Sequence, residues 1–380
     1  MDRDTSFPLA LSFDDVLLLP GYADFQRQDI DLTTRLTKKI TLQSPFVSAP
    51  MDTVTESKLA ILLAEKGGIG ILHRNLTVSH QADEVSKVRK KHLLVGAAVG
   101  AGPGFEDRVK ALVKADVSVV VVDSAHGFAH QIIKAITYIK RTYPEMEVIG
   151  GNVATQAGAE AMIDAGADGI RAGMGGGAIC TTRIISGMGV PQLTAIIEVV
   201  KAAKKHNVPV IADGAIKYSG DMVKALAAGA STVMMGSYFA STLESAGEIV
   251  ELQREHIPHR FKSILQENVE TYKFKTYRGM GSRGAMLQGA KIKSEDEYHG
   301  KSYKDRVMVS EGVEGLVPIK GTVANVVDQA TGGIKSGMYY IGAKTIEDLW
   351  KKADFVQITQ ASLTESHPHD ILITNPGENY

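Results

Sequence analysis

The feature that most narrows the folds open to this chain is an alternation, repeated from Pro45 to about Met235, of short β-branched runs with amphipathic stretches of helical length. Strand candidates fall at 46–48, 69–72, 94–99, 118–123, 147–150, 169–171, 209–213 and 232–235. They are almost continuously apolar, the pattern of strands buried on both faces in a parallel sheet. Between them, stretches such as 56–65, 105–115, 156–165, 192–206 and 219–228 place apolar residues near i, i+3 and i+4. One phrase recurs: Asp164-Ala-Gly-Ala-Asp-Gly-Ile170 and Ala227-Ala-Gly-Ala-Ser-Thr-Val233 each end a helix with glycine and launch a strand. Eight such units predict a closed (β/α)8 TIM barrel, with an open doubly wound sheet as the alternative.

In a barrel the working residues lie at the C-terminal ends of the strands. Here those positions hold Met51-Asp52, Asp123-Ser-Ala-His126, Asn152, Asp213-Gly214 and Gly236-Ser237. A glycine-rich loop, Gly173-Met-Gly-Gly-Gly-Ala-Ile-Cys-Thr-Thr182, follows the sixth strand candidate and carries Cys180, the only cysteine in 380 residues. Glycines let a backbone approach a ligand closely, so a thiol on such a loop can be presented to a substrate as a nucleophile. The alternative is an inert, buried small hydrophobe. Local sequence leaves both open, just as Asp213-Gly214 could simply make a turn and Met51 could be core. His126, His367 and His369 have no second ligand pair nearby, which argues against zinc.

Composition closes off several function classes. Forty-two basic against forty-three acidic residues leave a net charge of -1, so no electrostatic footprint points to nucleic acid or an anionic membrane, and any phosphate site must be built locally. The first thirteen residues are charged and lack an apolar core, and no run of about 18 apolar residues occurs, which predicts a cytoplasmic protein with no membrane partner. A single cysteine leaves no intramolecular disulfide and no multi-cysteine zinc site. One domain is expected over 1–380, with barrel strands at about 45–235 and a flap and tail at about 251–380. Within that tail, 251–314 mixes charged and aromatic residues with glycine and shows little apolar periodicity, which suggests a mobile flap over the barrel mouth.

Taken in order, Phe13-Asp-Asp-Val-Leu-Leu18, Ser48-Ala-Pro-Met-Asp-Thr-Val-Thr-Glu56, Gly67-Gly-Ile-Gly-Ile-Leu-His73, Asp123-Ser-Ala-His-Gly127, Gly151-Asn-Val153, the Cys180 loop, Ile211-Ala-Asp-Gly214, Tyr277-Arg-Gly-Met-Gly-Ser282 and Glu365-Ser-His-Pro-His-Asp370 resemble the IMP dehydrogenase and GMP reductase family over nearly the whole chain. The resemblance implies a homotetrameric barrel enzyme of purine nucleotide metabolism. In it a loop cysteine attacks C2 of the purine of IMP, a hydride passes to NAD, and the covalent thioimidate is hydrolysed to XMP. Cys180 is then the nucleophile, and Thr182 positions or activates water. Asp213 would hold the ribose hydroxyls, and Gly214, Gly236 and Ser237 would donate to the 5′-phosphate. Met51, Tyr277, Gly279, Met280, Gly281 and Glu311 would line the rest of the nucleotide pocket. Asp123, Ser124, Asn152 and Gly173 would face the nicotinamide riboside of NAD. A monovalent cation, potassium, would be held by carbonyls of Gly175, Gly177 and Cys180 with Glu365, Ser366 and His367 of a neighbouring subunit.

Three departures from the family pattern stand out. The segment Lys87-Val-Arg-Lys-Lys-His-Leu-Leu94 runs straight through where dehydrogenases commonly insert a pair of regulatory CBS modules. Glu297-Tyr298 stands where the flap usually carries the Arg-Tyr pair that activates water, and Arg306 has no tyrosine after it. Ala178 and Ala215 replace a usual serine and glycine of the phosphate site. A GMP reductase, which deaminates GMP with NADPH and needs no base for water, and a purine-nucleotide-binding paralogue without turnover are the alternatives. Against the reductase, Arg283 falls where reductases carry a carboxylate; against the binder, Cys180 and Thr182 are intact.

Overall fold

A computed structural model of the chain describes residues 7–258, 261, 265, 269–292, 309–371 and 373. Eight parallel strands close into a barrel: β1 (Phe46–Ser48), β2 (Ile69–Leu72), β3 (Val95–Val99), β4 (Val119–Asp123), β5 (Glu147–Val153), β6 (Gly169–Ala172), β7 (Val210–Asp213) and β8 (Thr232–Met235). Each pairs with its successor, and β8 returns to β1 with Val233 opposite Phe46. Every predicted strand is a barrel strand; the largest departure is β5, which continues to Val153.

The near-continuous apolar runs are explained by burial on both sides. Within β4, Val119 and Val121 join the cluster that fills the barrel interior with Val47, Ile69, Ile71, Ile149, Ile211 and Met234. Their neighbours Val120 and Val122 turn outward to the helices, as strand alternation requires. The interior is closed at the N-terminal ends of the strands by a short antiparallel ladder, Thr34–Arg35 with Thr41–Leu42, whose Leu36 and Leu42 are buried within that cluster. Leu36→Ala is therefore expected to destabilise the fold by about 2–5 kcal/mol, the range for truncating a buried leucine. Urea unfolding followed by far-UV circular dichroism would register it as a lower midpoint.

The surrounding helices are α1 (Ser57–Glu65), α2 (Val78–Arg89), α3 (Phe105–Lys114), α4 (His130–Thr142), α5 (Gln156–Asp164), α7 (Gln192–Lys205) and α8 (Ser219–Ala227), with the short α6 (Thr182–Ile185) between α5 and α7 in the chain. The eighth outer helix comes from the tail. After the short α9 (Ser237–Ala240) and then α10 (Arg283–Lys291), α11 (Val323–Ile341) packs between α8 and α1 and completes the ring. Its buried stripe of Val323, Val326, Val327, Ala330, Ile334, Met338 and Ile341 has helical spacing, the Thr322 hydroxyl accepts from the Asn325 amide at 3.2 Å, and Gly342 ends it at φ +81°. The tail beyond the flap thus belongs to the barrel wall.

The stretch read as irregular flap is regular at both its edges. Strands β9 (Ile249–Gln253), β10 (Thr271–Arg278) and β11 (Glu314–Pro318) form an antiparallel sheet. Much of the charged run predicted as flap, including Glu297, Tyr298 and Arg306, lies outside the described residues. The chain ends are joined where Val16–Leu18 pairs antiparallel with Phe355–Gln357. Among the described residues no helix is long and apolar enough to cross a membrane.

Candidate active site

The C-terminal ends of the strands open on a cavity of about 290 Å³. Met51, Asp123, Ser124, Asn152, Gly173, Gly175, Gly177, Cys180, Thr182, Asp213, Gly214, Gly236, Ser237, Tyr277, Gly279, Met280, Gly281 and Glu311 all line it, although they come from every quarter of the barrel and from the segment after it. Two of its glycines are closely hemmed in. At Gly173 (φ +144°) a Cβ would run into the Asp213 carbonyl, and at Gly236 one would sit 2.8 Å from both Met51 Sδ and Tyr277 Oη.

The cysteine loop is held by backbone bonds to a segment far away in sequence. The Cys180 amide donates to the Gly177 carbonyl at 3.0 Å and the Thr181 amide to the Glu311 carbonyl at 3.0 Å, while the Val313 amide donates to Ile179 at 2.9 Å. The Glu311–Val313 strip is bonded in turn to Gly281 and Gly279, so three loops are tied together. Below them the Arg278 guanidinium bonds Asp52 through Nε at 3.0 Å and Nη2 at 2.6 Å, which anchors the end of β10 to the loop after β1. Burial, then the Asp213 carboxylate, hold the Tyr277 phenol well above its usual pKa, so it stays protonated.

A directed chain of hydrogen bonds leaves the thiol. Cys180 Sγ donates to Thr182 Oγ1 at 3.2 Å, and Thr182 Oγ1 donates to Glu311 Oε2 at 2.8 Å. The thiol is half-buried and unpaired with any other cysteine. A thiol, a hydroxyl and a carboxylate therefore stand in line on the cavity wall.

The other wall is charged. Asp213 Oδ2 accepts from Asn152 Nδ2 and from Arg171 Nε, each at 2.8 Å, and Arg171 Nη1 reaches Asp123 Oδ1 at 2.5 Å. Asn152 is buried and its Oδ1 lacks a partner, the mark of a group awaiting a ligand donor. The sequence reading found both aspartates and missed Arg171 and Gln192, whose Nε2 donates to the carbonyls of Ala172 and Asp213. The signal for Arg171 was present: a lone charge inside an apolar strand must find carboxylates. Glu365, Ser366 and His367 are not brought to the cavity. They close a short C-terminal helix, and His367 meets the Tyr218 ring edge-on at 6.1 Å.

A barrel with a thiol, a hydrogen-bonded hydroxyl and carboxylate, and paired acids gathered at the strand ends has the architecture of a (β/α)8 enzyme. A family model described as the IMP dehydrogenase / GMP reductase domain matches residues 10–369. The chain is 38% identical to an inosine-5′-monophosphate dehydrogenase of Aquifex aeolicus, with 97% of each chain covered. It is 41% identical to one of Cryptosporidium parvum, again over 97% of each, and 40% identical to one of Borreliella burgdorferi over 96% of this chain and 97% of that one. This chain belongs to the IMP dehydrogenase / GMP reductase family. The alignment with the Aquifex protein spans 498 residues against 380 in this chain, so that relative carries more than a hundred residues with no counterpart here.

Proposed function

We propose that this chain is an IMP dehydrogenase, an oxidoreductase that converts IMP to XMP for guanine nucleotide synthesis. The observation that carries the reading is the Cys180–Thr182–Glu311 chain on the wall of a cavity fitted to a nucleotide, in a chain whose relatives bear that name. Cys180 Sγ gives up its proton to solvent and adds as the thiolate to C2 of the purine. The C2 hydrogen departs as hydride, and NAD, when bound, supplies the acceptor for it. The thioimidate left on Cys180 then takes a water, whose proton passes through Thr182 to Glu311; collapse of the adduct expels the Cys180 thiolate as XMP forms, and the thiolate recovers the proton held by Glu311.

The remaining residues fit the two ligands by chemistry. Asp213 suits the ribose hydroxyls, and Ser237 with the amides around Gly214 and Gly236 suits a phosphate, the backbone there lying open where side chains would block it. Met51 and Tyr277 pack beside them. The unpartnered Asn152 Oδ1, with Asp123, Ser124 and Gly173, suits the carboxamide and ribose of a nicotinamide riboside. Gly175, Gly177 and Cys180 offer only neutral carbonyls, a donor set for a monovalent cation such as potassium and a poor one for a divalent ion; among the described residues no group of three His, Cys, Asp or Glu could hold a metal. Ile184 and Met188, exposed beside the same loop, are apolar surface that a neighbouring copy would cover, consistent with a homotetramer in which residues 365–367 of that copy complete the cation site.

Quenching the protein in acid during turnover with IMP and NAD, then measuring its intact mass, should reveal a nucleotide adduct on Cys180. An unmodified protein during active turnover would count against the covalent route. Ala178 lines the same cavity, in the place where a serine hydroxyl could reach the phosphate. Ala178→Ser is expected to lower the KM for IMP by about tenfold, one charge-assisted hydrogen bond, as read from steady-state rates.

A further inference from the structure

Arg171 sits near the end of β6, its side chain 11% exposed. It spans two carboxylates from strands that are not neighbours. The ladders set the backbone positions, with Asp123 opposite Gly151, Gly151 opposite Arg171 and Arg171 opposite Ile211, two residues before Asp213, but no direct pairing joins β4 to β7. The guanidinium joins the two side chains, through Nη1 to Asp123 at 2.5 Å and Nε to Asp213 at 2.8 Å. A planar group with donors in a fixed fork holds two acceptors at a set separation and angle, which an ammonium cannot. Burial opposes the charge on Arg171 and the two carboxylates outweigh it, so the guanidinium remains charged at any working pH. Asn152 reinforces the same oxygen of Asp213, and Arg74 Nε approaches the other oxygen of Asp123 at 3.5 Å. A purely structural ion pair would need one carboxylate; here both partners line the cavity, at places suited to different ligands.

We propose that Arg171 is a positioning residue that fixes Asp123 and Asp213 relative to each other, so that the nucleotide subsite and the dinucleotide subsite are ordered together. The inference rests on the assignment of those subsites proposed above. Its consequence is a cross-effect: weakening Asp123, a residue of the dinucleotide side, disturbs Asp213 through Arg171 and so loosens IMP.

Calorimetric titration tests this without turnover, because IMP alone and NAD alone do not react. The wild type, Asp123→Asn and Arg171→Gln are each titrated with IMP and, separately, with NAD, well below their melting temperatures. Asp123→Asn should weaken IMP about fivefold or more as well as weakening NAD, and Arg171→Gln should weaken both ligands by at least as much. Should Arg171→Gln fail to fold, Asp123→Asn carries the test by itself, since it keeps the arginine with Asp213. If the wild type binds both ligands and Asp123→Asn leaves IMP affinity within about twofold, the positioning role is wrong while the functional reading stands. If the wild type binds neither ligand, the functional reading falls and takes this inference with it.

Discussion

Replacing Cys180 by alanine is expected to abolish NADH production from IMP, a loss of about 10⁴-fold or more, while IMP still binds. The magnitude follows from removing a covalent nucleophile for which no neighbouring group substitutes. Binding survives because the groups suited to ribose and phosphate, Asp213, Gly214, Gly236 and Ser237, are placed by β7, β8 and the turns after them, and among the described residues the Cys180 side chain bonds only Thr182. Rapid mixing with NAD for the rate and calorimetry with IMP for the affinity separate the two effects. Retained turnover would remove the thiol from the chemistry altogether.

The second large effect separates the two halves of the reaction. Glu311→Gln keeps the shape of the side chain but cannot take a proton, and Thr182→Val cuts the bond that joins Glu311 to the thiol. Each variant is expected to form NADH in an initial burst and then to turn over about 10²–10⁴-fold more slowly than the wild type, because general-base assistance to water is lost. The burst amplitude reports the hydride step and the later slope reports hydrolysis. Glu297, the nearest counterpart in this sequence to the arginine that the family resemblance implies, is the other carboxylate in question. A slope that falls in Glu297→Gln and is preserved in Glu311→Gln would move the base to the flap.

How much of this was legible in the sequence follows from the range of the interactions involved. Barrel strands were readable because double burial leaves them nearly continuously apolar, as in Val119–Val122, and because the glycines that close some helices, Gly67, Gly166 and Gly229 after α1, α5 and α8, are local. Helix α11 was not assigned to the wall, though its stripe is regular, because only the closed ring of α8 and α1 makes a place for a helix so far down the chain. The sheet of β9, β10 and β11 escaped notice since Ile249–Gln253 and Glu314–Pro318 lack period-two alternation and the three strands are separated by long, charged stretches of sequence. In the site, the cysteine loop announced itself by composition and family resemblance. The bond from Thr182 to Glu311 spans 129 residues, and the fork of Arg171 to acids on β4 and β7 exists only when those strands lie in one sheet.

The most direct test of the central claim is to mix the protein with IMP, NAD and potassium and follow NADH absorbance from the first milliseconds into the steady state. The account predicts a burst followed by sustained turnover, with XMP accumulating in step. Silence with IMP while NADPH is consumed with GMP would make the protein a reductase, and silence with both would make it a nucleotide binder without turnover; either result would contradict the account.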